Sequence, residues 1–478
     1  MRSGASARHA GRTAARVRNG RGAGGEQPEV RIPRPGGGDI VLSRRQLLIG
    51  GAAAVGAAAI VGGAAYAQVQ KSRDAANDLD VLEVPTEAVT NIDDLEQIED
   101  FNTVMRLKGS YELPLGTLVW CNDDQVAACL LPTEAAKPLT QVGLLSLANG
   151  SCPIVLTGAV GLSEGFEIYD VRATAAGVLW VEADILDGVW RVYTARLSSG
   201  ALGTPALAEE GSTADWETPS IALVDDQAFW QVVPNADGPH ATDRSALKRV
   251  SVGTGGASTV LDARGRMACA PYAGDGCVVV APRADVSTTH YQLTRIDASS
   301  GSVTDTLTLP QAMSPVEVAH GDTGFSFAFD AIYNYGDGIA NLGTYTPAAR
   351  TPSGQRATQW FRFGRVPTAA PAWCGDFLMV KSTTAVCGID LDKKRYFAFD
   401  VESGTDTYGE YLASSGSRNT VVTYANINHV PVSGDAISCC RVRIWEPGDG
   451  TKDKKGKEDA DGKGDSTKDD APAGETTA

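Results

Sequence analysis

The hydrophobic pattern of this chain is a series of short apolar runs, each entered through a tight polar turn. Asp123-Asp124-Gln125 leads into Val126-Ala127-Ala128-Cys129-Leu130-Leu131-Pro132, and Asp225-Asp226-Gln227 leads into Ala228-Phe229-Trp230-Gln231-Val232-Val233-Pro234. The same step recurs at Gly177, Gly276, Gly324, Asp376 and Asp435. Counted from Gln125, the spacings are 52, 50, 49, 48, 52 and 59 residues. A near-constant period of this length marks a repeat architecture. Each of the first six units carries a later Gly-based hairpin turn, at Gly150, Gly200, Gly255, Gly301, Gly354 and Gly404. Glycine there supplies the positive φ that short hairpins need. Convincing helical periodicity is absent, apart from an acidic stretch at 93–101 that predicts a helical turn.

Four strands in about fifty residues, repeated, predict an all-β fold and resemble the blades of a β-propeller. The run after each turn is almost continuously apolar, as in Val178-Leu179-Trp180-Val181, which suits burial on both faces between neighbouring blades. Pro219, Pro271, Pro315, Pro371 and Pro431 are expected just ahead of innermost strands, where no ladder donor is lost. The last unit is short, so the ring needs a closing strand from the N-terminal side, within 104–115. The expectation is seven blades, with six or eight as alternatives. The propeller is placed at 103–446, after an N-terminal extension at 68–102.

The N-terminus reads as an address. Residues 1–45 hold ten arginines against three acids, a net charge of +7, and an uncharged Ala/Gly-rich run follows from Gln46 to Gln70. At the junction stands Ser43-Arg44-Arg45-Gln46-Leu47-Leu48, which resembles the twin-arginine (Tat) signal of proteins exported already folded. Ala65 and Ala67 put small residues where a signal peptidase reads, so 1–67 is expected to be either a cleaved signal or a retained membrane anchor. The resemblance implies passage through the Tat translocase and a final place outside the cytoplasm, with membrane contact only through an uncleaved 47–67 segment. Taken together, the chain is similar to β-propeller repeat proteins that carry a Tat signal.

The formal charge is −16 overall, hence −23 beyond residue 45, which argues against nucleic acid as a partner because binding it rests on neutralising phosphates. At 43% hydrophobic residues the body can build a core, whereas 447–478 is Lys, Asp, Gly and Thr with no aromatic and is expected to be a disordered tail. Within that tail 459–470 partly resembles a calcium loop, but Lys463 takes a ligand position and no flanking helix is visible.

Candidate chemistry is sparse. Gly161-Leu162-Ser163-Glu164-Gly165 matches the nucleophile-elbow pattern, yet it lies between two strands, without the helix that chemistry needs. Nine cysteines permit at most four bridges; buried free thiols are the main expectation, with Cys374–Cys387 as the first disulfide to check. No metal-ligand spacing and no cofactor motif is recognised among the four body histidines. Long loops between second and third strands are expected at 133–140, 235–246, 283–290, 330–342 and 381–391, all on one face, and long loops on a rigid scaffold are where binding lives. Two of these supply ligand-binding candidates: Asp330, Tyr333, Asn334, Tyr335 and Asp337 in one, Asp237, His240 and Asp243 in the other. The expected function is a non-catalytic binding or scaffold propeller contacting protein, peptide or glycan through the loop face. The alternative is a propeller enzyme, a carbohydrate-active hydrolase or lyase or a cofactor-dependent dehydrogenase, with its site at the channel mouth.

Overall fold

The structure is a computed structural model and describes residues 30–33, 39–42, 79–82, 89–133, 140–286, 288–311, 313–321, 324–331, 341–346, 357–363, 367–381, 384–430 and 436–448. The chain divides into two units, Met1–Ala76 and Asn77–Ala478. In the first, Val30–Pro33 and Asp39–Leu42 pair as an antiparallel hairpin. The export-signal residues Ser43, Arg44, Arg45, Leu47, Leu48, Ala65 and Ala67 lie outside the described residues, as does the tail beyond 448.

The second unit is all-β, with a few 3-10 turns. Seven sheets, antiparallel apart from short parallel additions to two of them, follow one another among its described residues, with the repeat architecture of a propeller. Sheet 1 spans 118–156, sheet 2 167–212, sheet 3 220–263, sheet 4 272–308, sheet 5 313–362 and sheet 6 372–398. Sheet 7 is assembled from Tyr411–Leu412, Val421–His429, Ile437–Pro447 and the N-terminal strand Met105–Leu113, which pairs antiparallel with Ile437–Pro447. Within each of sheets 1 to 6, strands pair in chain order, so each second strand is covered on both sides and both faces. Gly177–Asp184 is buried along its whole length, the reason its sequence is apolar without alternation.

The core consists of walls between adjacent sheets. Trp180 and Val178 of sheet 2 meet Leu130 and Leu144 of sheet 1; Trp190 of sheet 2 meets Trp230 of sheet 3; Phe229 of sheet 3 meets Val278 of sheet 4. One larger cluster joins sheets 4, 5 and 6 through Leu293, Phe327, Trp360 and Trp373. Phe377 and Phe397 of sheet 6 pack with Trp445 of sheet 7, and Val422 and Val442 of sheet 7 pack with Cys129 and Leu145 of sheet 1.

Several expectations need correction. The second strand of sheet 7 begins at Val421, so Asp435 is not the seventh repeat mark, and Pro431 falls between the second and third strands. Pro315 sits inside Met313–Gly321, at a bulge where the register shifts between Pro315 and Glu317. Gly404 lies on the connector to sheet 7; the hairpin of sheet 6 turns instead at Lys394, with φ 53°. The expected loop at 381–391 is mostly strand, since Phe377–Lys381 and Val386–Asp390 leave only a short link. Part of the extension at 68–102 belongs to the sheets. Val89–Asn91 lies parallel to the last strand of sheet 5, and Glu96–Gln97 parallel to that of sheet 6. The acidic stretch contributes two 3-10 turns, Ile92–Asp94 and Phe101–Thr103. All nine cysteines are free. Cys374 pairs with Phe377 and Cys387 with Val380, so the two thiols sit on strands separated by Phe377–Lys381 and at different heights, which rules out a direct bridge.

Candidate functional site

The first and second strands of sheets 1 to 6 join through tight turns at one end, and the second-to-third loops and sheet connectors emerge at the other; in sheet 7 the longer segment 413–420 makes the first connection. At the turn end the inner strands converge. Ala413 O accepts from Cys121 N at 2.9 Å, and Ser415 N donates to Cys121 O at 3.0 Å, tying this segment to sheet 1. Ser415 Oγ donates to Ala273 O at 2.7 Å and Ser417 N to Asp275 Oδ1 at 3.0 Å, reaching sheet 4 on the far side. Trp373 N donates to Gly416 O at 2.9 Å, which adds sheet 6. Arg418 locks the crossing by donating to Asp124 Oδ1 at 2.7 Å and to the carbonyls of Asn122 and Ser415. The approach requires glycine on both sides: Gly416 has φ +82°, and a Cβ on Gly274 would stand 2.7 Å from Gly416 Cα. The segment 413–418 therefore crosses this end and ties sheets 1, 4 and 6 together.

At the loop end, His240 is the best-formed of the sequence candidates. Successive turns carry the chain from Asn235 to Asp243: Gly238 N donates to Asn235 O, Ala241 N to Gly238 O and Asp243 N to His240 O. His240 Nδ1 lies 2.7 Å from Asp243 Oδ2 and its Nε2 3.7 Å from Asp215 Oδ1. Its ring stacks on Trp216 at 5.6 Å and 8°. Asp215 and Trp216 come from the connector between sheets 2 and 3, and Asn235 pins that connector by donating its side-chain amide to Thr213 O at 2.7 Å. The product is a half-exposed indole–imidazole platform bordered by carboxylates, with both ring nitrogens already facing acids. Asp237 is exposed on the same loop. Asp330 closes the strand Gly324–Ala331, and Tyr333, Asn334, Tyr335 and Asp337 fall outside the described residues.

Sequence reasoning missed a second feature of this end, around sheet 2. The hairpin tip 184–188 is fixed by Asp184, whose Oδ1 accepts from Leu186 N at 2.9 Å and Asp187 N at 3.1 Å, and by Gly188 at φ +69°. Neither interaction requires apolar residues at the tip, yet Ile185 is 63% and Leu186 97% exposed. The connector 158–165 lies alongside, held by the buried carboxylate of Glu182. That group accepts from Val160 N at 2.6 Å, Gly161 N at 2.9 Å and Trp180 Nε1 at 2.8 Å. This is the local fold of the Gly-Leu-Ser-Glu-Gly motif: a 3-10 turn, Leu162–Glu164, between two strands. It leaves Val160 and Leu162 exposed as well. The only signal in the sequence was the Asp-x-x-Asp-Gly turn enclosing two aliphatic residues.

A third group was also unread: an ion cluster where sheets 6 and 7 meet. Glu410 is fully buried and accepts from Thr423 Oγ1 and Arg443 Nη2. Burial raises its carboxyl above the usual range, against the pull of Arg443. Lys381, 3% exposed, donates to Tyr408 O, and burial lowers its ammonium to about 8. Glu317, on the inner strand of sheet 5, is raised to about 7 by burial alone. No group of three or more metal-ligating side chains occurs among the described residues.

No family model matches the chain. No curated protein matches it either. Among solved structures, a chain from a study of two prolyl endopeptidases is similar at 12% identity and a TM-score of 0.43, over 84% of this chain and 55% of that one. The present chain thus spans about half the length of that protein. The WD40 domain of SCAP from fission yeast is similar at 8% identity and a TM-score of 0.43, over 72% of this chain and 98% of that one. The β-propeller domain of the trilobed protease from Pyrococcus furiosus is similar at 10% identity and a TM-score of 0.37, over 57% and 85%. At such scores the propeller architecture rests on the strand topology described above.

Proposed function

We propose that this chain is an exported binding or scaffold propeller whose partner, a protein, peptide or glycan, docks on the loop end. The observation that carries the reading is the rigid apolar tip Ile185-Leu186 beside Val160 and Leu162, edged by Glu164 and Asp187. Exposed aliphatic groups on a pre-set turn cost little entropy to bind and are a common mark of docking. The Trp216–His240 platform extends the same end. In this reading the seven sheets are seven blades of a ring closed at Met105–Leu113, supported by the cyclic order of inter-sheet walls that returns from sheet 7 to sheet 1. Export through the Tat translocase, as a cleaved or anchored extracytoplasmic protein, is supported by Ser43-Arg44-Arg45-Gln46-Leu47-Leu48.

The acidic edge favours partners that bring Lys or Arg next to apolar groups. The test is thermal unfolding of the full chain against basic amphipathic peptides, oligosaccharides and peptidoglycan fragments, since a ligand of the folded state raises the transition. The expected result is a rise with the basic peptides that disappears in Ile185→Ser/Leu186→Ser. A rise that survives both substitutions, or none with any probe, rejects the docking site.

The enzyme reading keeps one specific support: Lys381 and Glu317 titrate near neutrality, as catalytic acids and bases do. A transition raised by a divalent metal or a redox cofactor in the same panel would favour it.

A further inference from the structure

The outer edge of sheet 1 is open, short and uncharged. Leu144 N donates to Pro153 O at 3.1 Å, so these two residues form a hydrogen-bonded pair of the antiparallel ladder. The next pair, Gly143 and Ile154, is then of the alternate kind, whose N–H and C=O groups face away from each other. Ile154 therefore turns one donor and one acceptor outward, and Ile154–Leu156 is the last strand of its sheet among the described residues. Its side chain is exposed as well. So short a strand does not seed open-ended pairing between molecules. It does match the segments that the chain adds to its own edges, Val89–Asn91 on sheet 5 and Glu96–Gln97 on sheet 6. At sheet 6, Glu96 N donates to Lys394 O at 3.3 Å and Ile98 N to Tyr396 O at 2.7 Å. Beside the open edge lies a cleft of about 270 Å³ between sheets 1 and 2, walled by Leu144, Pro153 and Leu197 and rimmed by Gln125, Ser151 and Ser199. No charged side chain lines it. Since a cavity of about 150 Å³ admits benzene, this one has room for a large apolar side chain.

We propose that an extended basic peptide with alternating apolar side chains adds as a further strand to sheet 1, its backbone bonded to Ile154 and one apolar side chain seated in the cleft. The two faces of the sheet set the register. Gly143 stands opposite Cys129, which packs toward sheet 7, whereas Leu144 packs toward sheet 2. Ile154 thus belongs to the sheet 7 side and Pro153 to the sheet 2 side, where the cleft lies. A strand laid along Ile154 points every second side chain at the cleft and the others away from it. The charge of the peptide follows from the acids around the groove. Asp123 Oδ2 accepts from Ala175 N, a cleft residue, at 3.1 Å, and Glu164 and Asp187 are exposed where the chain continues past Leu156 to the apolar tip. A glycan has no regular row of donors and acceptors to match a strand edge, so the occupant is a peptide. The proposal rests on the docking reading above for the kind of partner, and on different residues from the tip.

The experiment is calorimetric titration of the full chain with an end-capped heptapeptide of alternating Lys and Leu. Binding is expected, and should be about tenfold weaker or worse when Ser replaces each Leu. Ile154→Pro removes the outward N–H, which the internal ladder does not use, and should weaken binding about tenfold relative to Ile154→Ala, which keeps it. Ser151→Phe, at an exposed position on the rim, puts a ring in the mouth of the cleft and should weaken binding severalfold. Hydrogen exchange supplies a readout that needs no substitution: the Ile154 amide should exchange fast in the free chain and slow down with the peptide, which side-chain docking alone does not cause. Equal affinity for the Leu and Ser peptides, unchanged exchange at Ile154, or no binding of the heptapeptide would each overturn the proposal. Binding that ignores Ile154→Pro and Ser151→Phe but is lost in Ile185→Ser/Leu186→Ser would overturn the strand addition and leave the tip as the docking site.

Discussion

Sheets 4 to 7 and sheets 1 to 3 end differently at their outer edges. Along the first group the N-terminal stretch runs as a strap: Leu82 N donates to Thr308 O on sheet 4, Val89–Asn91 adds to sheet 5, and Glu96–Gln97 adds to sheet 6. Met105–Leu113 then becomes the outermost strand of sheet 7. The outer strands of sheets 1 to 3, Ile154–Leu156, Ala206–Ser212 and Ser258–Ala263, carry no such addition among the described residues. They are short or charged instead: Glu209 accepts from Trp230 Nε1 and Lys248 Nζ, Glu210 pairs with Arg191, and Asp262 with Arg244. An open edge is a template for unwanted pairing, and this chain blunts four of its seven edges with its own backbone and the other three with a short strand or ionised side chains.

The largest effect should separate the strap from the strand it leads to. Removing residues 1–113 deletes Met105–Leu113, strips one side of Ile437–Pro447 and exposes Val442, Ile444 and Trp445; loss of cooperative unfolding and of soluble monomer is expected. Removing only 1–98 deletes the strap and Leu95, which packs into the cluster of sheets 4 to 6. Loss of one buried leucine and a few hydrogen bonds should cost about 2–4 kcal/mol, in a protein that still unfolds cooperatively. Urea denaturation of both truncations measures this, and equal damage from the two would mean that strap and closing strand act as one element.

The two halves differ in legibility as well. Sheets 1 to 6 announce themselves because each second strand is buried on both faces and follows an Asp or Gly turn, so burial and turn chemistry mark the same residue. Sheet 7 was misread for a local reason: its turn carries Asn419-Thr420 ahead of Val421, whereas Asp435 ahead of Ile437 imitates the mark. The strap had no pattern to find, since two- and three-residue strands are too short for periodicity and gain their structure only from the edges they meet. At the loop end, the His240–Asp243 contact is local and was within reach of the sequence. Asp215 and Trp216 arrive from a different loop, and only the pairing of sheets brings them there. The Ala413–Arg418 crossing looks in sequence like any Ser/Gly loop.

Two carboxylates, Glu182 fully buried and Glu317 half-buried, sharpen the contrast between the halves. Glu182, in sheet 2, accepts three hydrogen bonds; Glu317, in sheet 5, has burial alone acting on it and rises to about 7. For Glu317 the folded protein binds more protons than the unfolded chain between the ordinary carboxyl range and pH 7. Stability is therefore lost as pH rises through that window and is constant above it. Glu317→Gln should raise stability at pH 8 by about 2 kcal/mol and leave it unchanged near pH 4.5. Glu182→Gln should do the reverse at pH 8, because an amide cannot accept from all three donors without setting its own NH2 against one of them. Paired melts at the two pH values test both, and a pH-independent gain for Glu317→Gln would remove the titration from the account.

The smallest change in stability should expose what the charged edges do. Asp262 sits on the outer strand of sheet 3 as part of an exposed pair with Arg244, so Asp262→Val should move the unfolding free energy by no more than about 0.5 kcal/mol. Its consequence lies in association: the substitution extends the apolar run Val260-Leu261 along an open edge, the condition under which strands pair between molecules. Static light scattering should then show concentration-dependent oligomers. Gln359→Val makes a comparable change on the outer strand of sheet 5, at a position already next to the strap residues that pair with Trp360–Arg362. There the chain should remain monomeric, because the backbone groups that a second molecule would need are taken. Deleting the strap in the Gln359→Val background should restore association, and if it does not, charge rather than occupancy protects that edge too.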